Sequence, residues 1–61
     1  MGQYIIMPEH AGWIHTEAQT AEIALRQHLN WFTKGQIAVF DQDTGITELF
    51  DINELRKRDK S

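Results

Sequence analysis

Residues 36–52 read QIAVFDQDTGITELFDI, which is two apolar stretches on either side of a turn. The stretches 36–41 and 46–52 are rich in β-branched and aromatic residues, which favours strands. Between them lies QDTG at 42–45, and Gly45 suits the left-handed position of a short hairpin loop. The segment predicts a β-hairpin, and the other elements are placed around it.

The N-terminal segment 3–7, QYIIM, is a further predicted strand, because it is rich in aromatic and β-branched residues. Pro8 ends the strand, because it lacks the amide hydrogen that a ladder requires. After a turn at 9–12, residues 13–15 (WIH) are an optional short strand that returns beside it. The strand order stays open. Pairing of the first strand with 36–41 predicts a parallel, right-handed crossover, whereas pairing with 46–52 predicts a wholly antiparallel sheet.

A long amphipathic helix is predicted between these strands, over about residues 17–34. The sequence TEAQ at 16–19 fits a capping box with Thr16 as N-cap. Lys34 falls in the last turn, and Gly35 supplies a stop. Helical spacing aligns an apolar stripe of Ala18, Ala21, Leu25, Leu29 and Phe32, flanked by Ala24, His28 and Trp31. Trp31 is expected to border the core rather than face solvent.

A short C-terminal helix is predicted to run through Leu55 into the basic tail, with Asp51 or Asn53 as its N-cap. Residues 56–61 (RKRDKS) form a basic tail. The predicted fold is a single α+β domain over residues 1–61. One amphipathic helix packs on a three- or four-stranded sheet, and the short helix follows it.

Length and composition exclude several classes of protein. The 61 residues contain no cysteine, so disulfides, thiolate metal sites and a cysteine nucleophile are excluded, and a reducing cytoplasm is the default compartment. The longest apolar runs are four residues, whereas a membrane-spanning helix needs about 20. The first residues do not resemble a signal peptide. We expect a soluble, unprocessed chain with no membrane partner.

Both faces of the predicted sheet are apolar, because residues of either parity along the strands are hydrophobic. One helix covers only one face. The second face is covered either by the Trp13 segment and the C-terminal helix, as in a monomer, or by another chain. Ile23 lies on the polar side of the predicted helix, where an aliphatic residue could contact a partner. The candidate partner-binding residues are Trp13, Ile23, Phe40 and Phe50.

No catalytic, metal or cofactor site is predicted. Glu9, His10, His15 and Glu17 are the clustered ligand-type residues, but histidines five apart across a glycine do not match the spacing of a helical metal pair. The sole serine is Ser61, and the four glycines are isolated, so nucleophile and phosphate-loop motifs are lacking. We therefore expect a protein that is not an enzyme.

The charge is divided unevenly along the chain. Residues 1–55 carry two basic and eight acidic side chains, a net charge of −6, and residues 56–61 carry four basic and one acidic, a net of +3. The tail makes a nucleic-acid-binding regulator the alternative function, although the acidic body makes nucleic acid an unlikely partner. The leading prediction is a small protein-interaction module, either homodimeric or an adaptor or inhibitor of a larger host protein. In size and architecture it resembles short accessory proteins of bacteria, phages and mobile elements.

Overall fold

The fold is described from a computed structural model that covers residues 1–32 and 35–59. Its centre is a four-stranded sheet with the spatial order β2-β1-β3-β4, in which every neighbouring pair is antiparallel. The strands are β1 (Gly2–Met7), β2 (Ile14–Ala18), β3 (Gln36–Asp41) and β4 (Thr47–Asp51). The return strand expected at 13–15 is therefore present and longer than predicted.

The predicted hairpin is confirmed as β3 and β4, and Asp41 organises its turn. The Asp41 carboxylate accepts hydrogen bonds from the backbone N–H groups of Asp43 (2.9 Å) and Thr44 (3.3 Å). Gly45 has φ +77°, a left-handed conformation that glycine adopts without steric penalty. The Asp41 N–H then donates to the Ile46 carbonyl at 2.8 Å, which closes the loop.

The first strand pairs with β3, but the expected parallel crossover between them is wrong. Tyr4 lies opposite Asp41 and Met7 opposite Ala38 in an antiparallel register. The reason is that β2 reverses the chain before the helix begins. The helical connection therefore joins β2 to β3, which run in the same direction, and β1 lies between them.

The long helix predicted over 17–34 is wrong, since α1 spans only Ala21–Arg26. Residues 16–18 lie in β2, where they pair with β1. The N-cap is Thr20 rather than Thr16, and its side-chain oxygen accepts a hydrogen bond from the Ile23 N–H at 3.2 Å. Pairing of β2 with the first strand thus overrides the capping-box pattern, as tertiary context commonly overrides local propensity.

After α1 the chain continues as a 3₁₀ turn at Leu29–Trp31. Leu29 is buried, but Trp31 is 77% exposed, so the expectation that it borders the core is wrong. The turn rotates Trp31 away from the stripe that a continuous helix would have formed. The predicted last-turn residue Lys34 lies outside the described residues, and Gly35 has φ +100°.

The C-terminal helix α2 spans Ile52–Asp59, so it continues into the basic tail as predicted. Of the two predicted caps the structure selects Asp51, whose carboxylate accepts from the N–H groups of Asn53 (2.9 Å) and Glu54 (3.3 Å). Residues 60 and 61 lie outside the described part of the chain. None of the described helices has the length and apolar content needed to cross a membrane.

One hydrophobic core lies between the sheet and the helices. Tyr4, Ile6 and Val39 contribute from the central strands, while Leu25 and Leu55 contribute from α1 and α2. The complete buried cluster is Tyr4, Ile6, Ala18, Ala21, Ala24, Leu25, Leu29, Ile37, Val39, Ile52 and Leu55. The α+β class is confirmed, as a four-stranded antiparallel sheet with two short helices on one side.

Candidate interaction face

The sheet surface opposite the core is the leading candidate site, and we call it the open face. Directly paired residues of neighbouring strands point to the same side of a sheet, so the register defines its members. One cross-strand row is His15, Ile5, Phe40 and Thr47. The next row is Met7, Ala38 and Leu49.

The open face is apolar and accessible. Leu49 on the edge strand β4 is 70% exposed, and Ile5, Met7 and Phe40 are half-buried. Within residues 1–32 and 35–59, every buried helical side chain belongs to the core cluster on the other side of the sheet. The helices therefore stabilise one face and leave the other to solvent.

The charges around the open face are acidic. Glu17 lies at one end, where its carboxylate accepts a hydrogen bond of 2.8 Å from the Gln3 side-chain amide. Asp51 lies at the opposite end, paired with Gln36. The four strands contain no lysine or arginine. An apolar centre with a sparse acidic rim is typical of a protein-binding surface more than of one that contacts phosphates.

The structure separates the four predicted partner-binding residues. Phe40 lies on the open face, but Phe50 pairs with Ile37 and packs partly buried against the core. Trp13 is 64% exposed and immediately precedes β2, adjoining the sheet edge. Ile23 is 39% exposed on α1, in the helical layer. Of the predicted set, Phe40 is on the open face and Trp13 adjoins the edge of the sheet. Phe50 belongs to the sheet but faces the core, and Ile23 belongs to the helical layer.

The grouping of Phe40 with Phe50 had a simple geometric cause. Counting alternate residues along the chain assigns them the same parity, but the turn pairs Phe40 with Thr47 and Ala38 with Leu49. Residues of opposite parity therefore share a face across this hairpin. The turn signal at Gly45 is enough to set the register of the hairpin. With that register, Leu49 rather than Phe50 is identified as the residue on the open face.

A groove lies at one end of the sheet. This groove of about 290 Å³ is bounded by the loop 8–11, by Trp31 and Phe32, and by residues 35–37. Among its described lining residues the ionisable groups are Glu9 and His10, 3.7 Å apart, and both side chains are largely exposed. In the described part of the chain, no three histidine or carboxylate side chains come together as a metal site would require.

Among the described residues, the one resolved pKa shift is that of Tyr4, on the core side of β1. Burial raises the pKa of the Tyr4 phenol, and the nearby carboxylates of Asp41, Asp43 and Glu48 raise it further. Both effects disfavour the phenolate anion. Tyr4 is a core residue at 7% exposure, so this shift reflects packing rather than a reactive site.

Comparison with protein-family models, with curated proteins and with solved structures gives no match for this chain. The surfaces of the chain itself are therefore the evidence for its function.

Proposed function

We propose that this chain is a small non-enzymatic interaction module that binds another protein through its open face. The observation that supports this most directly is the apolar sheet surface around Phe40 and Leu49, on which no described helix packs. Apolar patches of this kind on small proteins commonly mark interaction sites. The lack of cysteine suits work in a reducing compartment such as the cytoplasm.

The size of the chain supports the same proposal. A domain of about 60 residues buries only about 60% of the surface that its unfolded chain exposes, so a partner adds burial that the chain lacks. Here the core receives two short helices on one side of the sheet only. Covering the open face would complete a three-layer arrangement in which both sheet faces are buried.

One of the four basic C-terminal residues, Arg56, lends little support to a nucleic-acid regulator. Arg56 donates hydrogen bonds through its guanidinium to the carbonyls of Leu29 (2.9 Å) and Phe32, so it serves the fold. The strand residues of the open face include carboxylates and no lysine or arginine, which disfavours phosphates.

The test is affinity capture from a lysate of the source cells, with one substitution on each layer. Leu49→Lys places a charge on the open face at an exposed edge position, and Ile23→Lys is the matched control on the helical layer. We expect the natural chain and Ile23→Lys to retain the same protein, whether a host protein or further copies of this chain, and Leu49→Lys to lose it.

Circular dichroism of all three proteins establishes that they are folded. Retention that survives Leu49→Lys would overturn the proposal, and so would a natural chain that retains nothing and does not self-associate.

A further inference from the structure

We infer that the open face is covered by a second copy of this chain, related to the first by a two-fold axis. The axis runs parallel to the strands, midway between β1 and β3, in the plane between the two sheets. This inference rests on the proposed function and names the partner. Its basis is the self-complementarity of the open face, row by row.

The strand order makes this symmetry available. Rotation about the axis reverses the order β2-β1-β3-β4, so β1 of one copy lies over β3 of the other, and β2 lies over β4. An isologous interface requires that residue i contacts residue j while j contacts i. The two inner and the two outer strands supply such pairs.

The rows of the open face then match large side chains with smaller ones. Ile5 and Phe40 lie side by side in one row, so the rotation places each over the other in the second copy. In the next row, Met7 lies over Ala38, where the small residue leaves room for the long flexible side chain. At the edges of the first row, His15 lies over Thr47.

The acidic residues at the rim do not collide in this arrangement. Glu17 lies in the row of Gln3, at the beginning of β1. Asp51 lies in the row of Gln36, at the other end of the sheet. Because rotation about an axis parallel to the strands preserves the position along them, neither carboxylate is brought over the other. Two chains of net charge −3 can therefore meet through this face without close like-charge contacts.

The dimensions are those of a small dimer interface. The whole molecule extends over 29 × 27 × 16 Å, and its four short strands, about 4.8 Å apart with about 3.3 Å per residue, form a sheet of roughly 20 × 20 Å. Standard interfaces bury about 800 Å² on each partner, so the open face by itself is smaller than a standard interface. Since the apolar rows occupy its centre, we expect reversible association in the micromolar range rather than an obligate dimer.

The first measurement is molecular mass by sedimentation equilibrium, from about 1 µM to about 1 mM protein. The natural chain and Ile23→Lys are expected to pass from the monomer to twice that mass. Leu49→Lys is expected to stay monomeric, with an association constant at least tenfold lower. A natural chain that remains monomeric throughout overturns the inference, as does dissociation caused equally by Ile23→Lys.

The second measurement tests the axis and uses the lack of natural cysteine. His15→Cys and Thr47→Cys are exposed positions on the two edge strands. A bis-maleimide that spans about 10 Å matches the separation of two packed sheets. A mixture of the two variants is expected to give covalent dimers at least fivefold faster than either variant alone. Faster reaction of one variant with itself would overturn the proposed axis.

The proposed function and this inference fail in different ways. If the natural chain is monomeric but captures a host protein that Leu49→Lys loses, the open face is a binding site and the second copy is not its occupant. If Leu49→Lys alters neither mass nor capture, both are overturned.

Discussion

Arg56 is the residue whose role is least visible in the sequence. It lies in a run of basic residues, which suggests a solvated tail, yet its guanidinium reaches the carbonyls of Leu29 and Phe32. Those carbonyls lie in and just after the 3₁₀ turn, where the backbone has no further helical partners. Arg56 thereby joins α2 to the end of the first helical segment.

Substitution of Arg56 is expected to destabilise the fold measurably. Arg56→Ala should lower the free energy of unfolding by about 2 kcal/mol, because hydrogen bonds from a charged donor are lost. Both hydrogen bonds come from the Nη2 atom of Arg56, and Arg56→Lys should recover only part of this, since the ammonium of lysine ends a shorter side chain and does not reproduce the position of Nη2. Urea denaturation provides the measurement, and Lys57→Ala, at an exposed neighbour, serves as the control. Equal effects of the Arg56 and Lys57 substitutions would contradict this role.

Tyr4 makes the stability of the protein depend on alkaline pH. Its pKa is raised in the folded chain above the ordinary value of 10.0, first by burial and then by carboxylates. At a pH between the pKa of Tyr4 in the unfolded chain and its pKa in the folded chain, the native state binds more protons than the unfolded state. The contribution of Tyr4 to the free energy of unfolding is therefore fully present below pH 10, and it is lost as the pH rises through the pKa of the folded state.

This dependence is testable because Tyr4 is the sole tyrosine. Phenolate absorbance should titrate at higher pH in the folded protein than in urea. Tyr4→Phe should remove the corresponding loss of stability above pH 10 while keeping the aromatic packing. An identical alkaline stability profile in Tyr4→Phe would refute the assignment.

At the scale of elements, the short helix α1 depends on its cap. Thr20 accepts from the Ile23 N–H, a first-turn backbone donor that has no acceptor within the helix. Thr20→Ala should lower the free energy of unfolding by about 1 kcal/mol, and Thr20→Ser should restore most of it. Thermal or urea denaturation distinguishes the two. A serine variant as unstable as the alanine variant would show that the methyl group, rather than the hydroxyl, is what matters.

The strands were predictable from sequence and the helix boundaries were not. The hairpin depends on local chemistry, because Asp41 and Gly45 shape the turn through their own backbone and side-chain preferences. The segment 16–19 carries a capping pattern, but residues 16–18 pair with β1, which is distant in the chain. A local pattern cannot report that competition. The same limitation hid the antiparallel pairing of β1 with β3.

At the scale of the molecule, the sequence predicts that a second apolar sheet face exists, but it predicts only part of the set of residues that lie on that face. The number of apolar residues exceeds what one helical layer can cover, which composition and periodicity reveal. Assigning Leu49 to that face and Phe50 to the core required the register across the hairpin. Trp31 was misplaced because a 3₁₀ turn, rather than a continuous helix, carries it.

Covering the open face by association also predicts a concentration-dependent melting temperature. Binding of a partner to the folded state stabilises it by mass action, so Tm of the natural chain should rise with protein concentration. Leu49→Lys should show a Tm that does not depend on concentration. Calorimetry over a hundredfold range of concentration is the measurement, with Ile23→Lys expected to follow the natural chain. A constant Tm for all three proteins would argue against association through this face.

The antiparallel contact between β1 and β3 also shapes how the chain folds. Each outer strand pairs with an inner strand close to it in sequence, whereas β1 and β3 join Tyr4 to Asp41 across most of the chain. Closing that loop costs chain entropy before any contact is gained, so this pairing is expected to limit the folding rate. Val39→Ala, in the buried centre of the contact, should slow refolding, and Thr20→Ala should mainly speed unfolding. The sheet then behaves kinetically as two hairpins whose docking creates the native state.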